Sequence, residues 1–281
     1  MSQPASSSGA VGGVVLRHAD PITEAIGQIA TIVGYEARKL RHDPTELLLR
    51  AIQPALWLVV FGSVFSTINA SAHVIPTGGL SYLQFLTPGI LAQSVLFIAI
   101  FYGIASIRER ELGIIIKFLV SPARRMVLVG GRALSASLRG LSQAAVVLVL
   151  ATALNVRLDL TPLTVLGVIV AVVLGSAAFS SLSMVIASLV RTQERFLGIG
   201  QLLTMPLFFA SNAIYPLSLM PSWLRPITLA NPLTYLVDAL RGLMLPGYSG
   251  VFPVGVDLTV LFGVTVALVL IEARLYPRMA Q

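Results

Sequence analysis

The sequence predicts an all-α integral membrane protein with six transmembrane helices. Three observations carry that expectation. Hydrophobic residues make up 56% of the 281-residue chain and charged residues 11%, against about 25% charged in an ordinary soluble domain. Several uncharged stretches approach or exceed the roughly 20 apolar residues that a helix needs to cross a bilayer. The Lys and Arg residues punctuate those stretches instead of gathering on one patch, so the net charge of +7 reads as membrane topology and not as nucleic-acid binding. The spans are helices because a helix satisfies its own backbone hydrogen bonds in lipid.

Residues 1–20 are small and polar, without the long apolar core of a secretory signal, and read as a disordered cytoplasmic tail. Residues 22–41 have Ile22, Ile26, Ile29, Ile32 and Val33 at helical spacing, behind Asp20 as an N-cap and Pro21 at the first helical position. They predict an amphipathic helix at the inner membrane interface. The six spans follow at 51–68, 84–107, 131–154, 160–190, 196–214 and 250–271, with Pro54 in the first turn of span one and Asp257 near the outer end of span six. Arg132 and Arg139 are read as lying toward the cytoplasmic end of span three, where they can snorkel.

Of the nineteen Lys and Arg residues, all but Arg157, Arg225 and Arg241 fall before span one, after span two, after span four or after span six. Under the positive-inside rule both termini face the cytoplasm.

Two segments between spans stand out. Residues 107–125 carry seven charged side chains after an uncharged stretch from Gln84 to Ser106. Leu112, Ile115, Ile116 and Leu119 form one apolar face, and Pro122 ends the helix near Ser121. Two readings stand open: a solvated loop whose cations set topology, and a docking helix for a cytoplasmic partner. The mixed-sign run Arg108, Glu109, Arg110, Glu111 favours docking, because topology needs only cations whereas mixed charges set register across an interface. Residues 211–247 hold five prolines, so no straight helix runs through them. Asn231 and Pro232 cap and start a helix whose apolar side is Leu233, Leu236, Val237, Leu240 and Met244, with Asp238 and Arg241 paired on the polar side. With Pro221 breaking the chain and Trp223, Tyr215 and Tyr235 at an interfacial level, the segment predicts re-entrant helices in the outer leaflet.

Zero cysteines exclude disulfides and thiol chemistry. No P-loop occurs, the three histidines are isolated, and no nucleophile motif appears, so the chain reads as neither a metal protein nor an enzyme. The middles of the predicted spans carry no ionisable residue, which weighs against an ion-driven carrier. Gln93, Gln201 and Asn212 are candidate path-lining residues.

Three stretches, YLQFLTPGILAQSVLF (82–97), IRERELGIIIKFLVSPARRMVLVGGRAL (107–134) and LTMPLFFASNAIYPLSLMPSWLRPITLANPLTYLVDALRGLM (203–244), resemble the transmembrane subunits of type-2 ABC exporters, the ABC-2 permeases, and within them the daunorubicin-export branch. The resemblance covers residues 22–272. It implies a permease without its own nucleotide site, a second permease copy or paralogue, and two separate ATPase subunits that hold ATP and Mg. It assigns residues 107–125 to a coupling helix seated in the ATPase, so that Arg108, Glu109, Arg110 and Glu111 anchor it by charge and Leu112, Ile115 and Ile116 fill an apolar cleft. It implies that the segment between spans five and six, with Pro221, Trp223, Asn231, Pro232, Tyr235, Asp238 and Arg241, forms the outer exit. The low aromatic content, 7%, points to an amphiphilic or hydrophobic substrate rather than a sugar. The rival classes are an ion-coupled carrier acting alone and a membrane anchor that transports nothing.

Overall fold

The computed structural model describes residues 27, 34, 38, 52–72, 76–77, 79–112, 125–190, 192–248 and 250–275. The predicted tail and most of the helix at 22–41 lie outside them, although Gly27, Gly34 and Arg38 are helical. The described residues contain helices and no strand.

The long helices are α1 (residues 52–72), α2 (Tyr82–Glu111), α3 (Arg125–Ala153), α4 (Pro162–Leu189), α5 (Gln193–Phe209) and α8 (Val254–Leu275). Between α5 and α8 lie a 3-10 turn (Leu217–Leu219), the short α6 (Arg225–Ala230) and α7 (Pro232–Met244). Five of these helices are long and apolar enough to cross a membrane: α1, α2, α3, α4 and α8.

The sixth expected span, 196–214, is corrected. The structure gives it as the 17-residue α5, which stops at Phe209. At about 1.5 Å per residue it covers about 25 Å, short of a hydrocarbon core of about 30 Å. The chain then leaves helical geometry through residues 210–216. Span two is longer than expected: α2 runs unbroken to Glu111, so the run Arg108–Glu111 is its last turn and not the start of a separate helix. Span three begins earlier, at Arg125, which puts Arg139 at the midpoint of α3 and not near its end.

Helices α2 and α4 form the centre. They pack on each other, α3 packs on both, α8 packs on α4, and α7 wedges against α2, α4 and α8. Close approach needs small residues. The Gly103 N–H donates to Ser183 Oγ (3.0 Å), and Ser183 Oγ donates to Ile100 O. A Cβ at Gly103 would collide with that same hydroxyl and with Phe196. α1 joins the core through its π-helical stretch Trp57–Phe61, where Trp57 stacks on Phe61 (4.3 Å) and meets the edge of Phe208 on α5 (5.5 Å). The outward faces of α4 and α8 expose Leu163, Leu166, Phe262 and Leu270, as lipid-facing surfaces do.

Candidate functional site: two ends of one helix

α2 carries a cluster of interactions at each end. At its C-terminal end the sequence supplies charges, and the fold spends two of them internally. Arg132 on α3 donates to Glu109 Oε2 (2.5 Å) and to Ser106 Oγ (2.7 Å). Arg110 donates to Val190 O (2.8 Å) and Ala187 O (3.5 Å), the open carbonyls at the C-terminus of α4. A helix leaves its last carbonyls without partners, and a nearby guanidinium is a favourable cap. Arg132 was expected to snorkel; it bridges helices instead. Glu109 and Arg110 were expected to anchor an ATPase; their bonds tie α2 to α3 and α4. Arg108 is exposed, and Leu112, the C-cap of α2, is 72% exposed. The side chain of Glu111 and all of Ile115 and Ile116 lie outside the described residues.

The N-terminal end of α2 meets the segment between α5 and α8. Ser81 caps α2 in a reciprocal capping box with Gln84. Asn231 caps α7 as its sequence predicts, accepting from Leu233 N (3.0 Å). Its amide also donates to Leu207 O (2.7 Å) and Ala210 O (3.2 Å), satisfying carbonyls at the broken end of α5. The predicted apolar side of α7 is fully buried. Tyr235 donates to Leu229 O (2.7 Å) and stacks on Phe252, while Trp223 stands exposed and Pro221 accepts from Leu224 N.

The expected Asp238–Arg241 pair on a polar side is corrected, because α7 has no solvated side at that level. Both residues are buried and neither bonds the other directly. Arg241 donates through Nε to Phe85 O (3.1 Å) and through Nη2 to Ala213 O (2.8 Å), with its guanidinium carbon 3.6 Å from the centre of the Phe85 ring. Asp238 accepts from Phe252 N (3.0 Å) and from Tyr248 (3.4 Å). Burial pushes the Asp238 carboxyl above the ordinary carboxylate range, against the pull of the Phe252 N–H and the Arg241 charge. Gly89 lets α2 pass directly beneath Ala213; a Cβ there would strike the Ala213 carbonyl.

Of the polar path candidates, Gln93 and Asn212 are buried. Gln201 is exposed on α5 beside Leu202 and Met205, so it does not join them. Sequence reasoning missed Arg139. It lies mid-helix, its guanidinium 5.4 Å from the centre of the Tyr102 ring. The uncharged run Gly140–Val156 that follows it marked the span, and the helix extends on the other side of the charge. Among the described residues no group of His, Asp and Glu is placed to hold a metal ion.

Residues 27–245 match the family model described as ABC-2 type transporter. The chain is 26% identical to the daunorubicin resistance ABC transporter permease protein DrrB1 of Streptomyces coeruleorubidus over 84% of this chain and 81% of that protein. It is 29% identical to ycf38 of Cyanophora paradoxa, named as a transport permease, over 72% of this chain and 69% of that one. It is also 26% identical to the inner membrane transport permease YadH of Escherichia coli K12, over 78% and 80%.

A helical bundle with five membrane-crossing helices and a broken segment beside its short helix defines a multi-pass membrane protein of transporter type. The chain belongs to the ABC-2 type transporter family, and is therefore a transmembrane subunit of an ABC transporter that works with ATP-binding subunits.

Proposed function

We propose that the chain is the transmembrane subunit of an exporter that moves an amphiphilic or hydrophobic compound, drug-like, lipid or natural product, outward across the cytoplasmic membrane. Two separate ATPase subunits, holding ATP and Mg, drive it, and a second copy or a paralogue completes the pore. Both termini face the cytoplasm, and α5 completes a sixth crossing with the broken segment after it. The direction and substrate class lean on the name of the Streptomyces relative and on the apolar spans.

The observation that carries the mechanism is the continuity of α2. Its 30 residues make a rod of about 45 Å. The lower end, at Glu109 and Arg110, is bonded to α3 and α4; the upper end, at Phe85 and Gly89, touches Arg241 and Ala213 of the exit segment. Closure of the ATPases would press on the segment after Glu111, with Arg108 and Leu112 exposed to meet it and Ile115 and Ile116 filling a cleft. The three bonded helices would then move as a unit and shift the exit segment against α2. Such coupling requires that the docking contacts differ between the two ATPase states.

The test is a mild-detergent pull-down of the chain from its own membrane with mass spectrometry of its companions. A stoichiometric P-loop ATPase is expected, lost when Arg108 and Leu112 are replaced. A chain that purifies with no nucleotide-binding companion would overturn the reading.

A further inference from the structure

A second feature lies between the two ends of α2. Where α1, α2 and α3 meet, a cavity of about 170 Å³ opens in the half of the bundle nearer Glu109. Its polar wall is Gln53, Ser94, Arg139 and Gln143. Its aromatic wall is Phe97, Phe101 and Tyr102, with Phe97 and Phe101 in ring contact at 6.2 Å. We propose that this cavity binds the acidic head group of an amphiphile, whose anion meets Arg139 and whose apolar tail stays in the bilayer.

Size comes first. A cavity of about 150 Å³ takes one benzene-sized ring, so this one holds a head group and not a whole drug-sized molecule, which needs roughly 300 Å³ or more. Charge comes second. An ionisable side chain at mid-span is costly, and its usual role is a functional one. Arg139 is the one formal charge among the described lining residues. Its planar group presents five N–H donors, so contact with the Tyr102 face is compatible with a forked bond to a phosphate, sulfonate or carboxylate. Access comes third. The wall includes Gln53 and Pro54 at the start of α1, where the first span begins, so a lipid-soluble molecule can enter sideways. This site is separate from the exit segment and needs no turnover to be occupied. Failure of binding would therefore leave the export reading standing, and loss of the ATPase partner would leave this site standing.

Trp57 lies one helical turn beyond Gln53 and reports on the site; Trp223, the other tryptophan, lies in the segment between α5 and α8 and is replaced by Phe. The W223F chain is placed in phosphatidylcholine nanodiscs. It is titrated with an alkyl sulfonate brominated near its head, and separately with the matching alkyl trimethylammonium, while Trp57 fluorescence is followed. The sulfonate is expected to quench at a concentration at least about ten-fold lower, the effect of one charge-assisted fork. Arg139→Gln should erase that preference and leave the ammonium curve unchanged, which also shows that the variant is folded. Arg139→Lys should keep part of it. Equal quenching by the two probes, or an undiminished preference in R139Q, would overturn the proposal. Adding phosphatidylglycerol then separates the sources. A right-shift of the sulfonate curve in the Arg139 chain beyond that in R139Q identifies a membrane lipid as the occupant, and equal shifts identify a non-lipid acidic amphiphile.

Discussion

The two ends of α2 use arginine in opposite ways. At the Glu109 end, Arg132 meets a carboxylate and Arg110 caps a helix, with Glu109 still about one-third exposed. At the Phe85 end, Arg241 is fully buried, and two backbone carbonyls and an aromatic face hold it. The difference follows from what each end lacks. Where whole helices terminate near water, charges pair with charges and the pairs are tradeable. Where α5 breaks at membrane depth, the freed carbonyls have no water to turn to, and a buried cation is the donor that satisfies Ala213. The break and Arg241 therefore require each other.

The comparison breaks most sharply at Arg241. Arg241→Met keeps the bulk and removes every donor, leaving two buried carbonyls short of a partner. A loss of about 3–5 kcal/mol is expected, read as a large drop in the thermal midpoint of the purified protein in detergent. Arg241→Lys should recover less than half, since one ammonium cannot both stack on Phe85 and span two carbonyls. A Met variant that melts with the parent would mean that the carbonyls find other donors and that the break stands without the cation.

Asn231 comes next and sharpens the same end. Asn231→Ala loses the α7 cap and the amide that serves Leu207 and Ala210, for about 1–3 kcal/mol. Asn231→Asp keeps the cap acceptor and loses the donor. If Asp is nearly as damaging as Ala, the bond to the end of α5 is the larger part; if Asp is nearly silent, the cap alone matters.

What the sequence disclosed has the same asymmetry. The α7 cap and its apolar side were readable because cap, Pro and 3.6-residue spacing are local. So were five crossings, from uncharged length alone. Arg241 was misread because pairing at a spacing of three assumes a wet helix face, and burial of that face is a tertiary fact. Arg139 was misplaced because composition marks a span by its uncharged run, and α3 continues past two arginines to Arg125. Glu109 and Arg110 looked like surface charges because their partners lie 23 to 80 residues away in sequence.

At the Glu109 end the expected effects are smaller. Glu109→Arg and Arg132→Glu should each lower stability, and the double swap should restore part of it. Coupling is about 1 kcal/mol, because the exposed side of Glu109 is screened by solvent. The cycle is measured twice, once by thermal midpoint and once by ATP turnover of the intact complex. If turnover follows the cycle while stability barely moves, the pair transmits motion between α2 and α3. If only stability follows, it is a fastener.

The smallest structural effect is expected at Arg108, and that is what makes it useful. It is exposed, one residue before the carboxylate that bonds Arg132. Arg108→Ala should change stability by less than about 0.5 kcal/mol, since an exposed side chain leaves no cavity and strands no buried partner. Capture of the ATPase should nonetheless weaken, and the weakening should shrink at high salt, as it does for contacts made by exposed charges. A clear loss of stability would move Arg108 to the internal side of the comparison, beside Glu109 and Arg110. Unchanged stability with unchanged capture would free the whole last turn of α2 from docking and leave that task to the residues after Leu112.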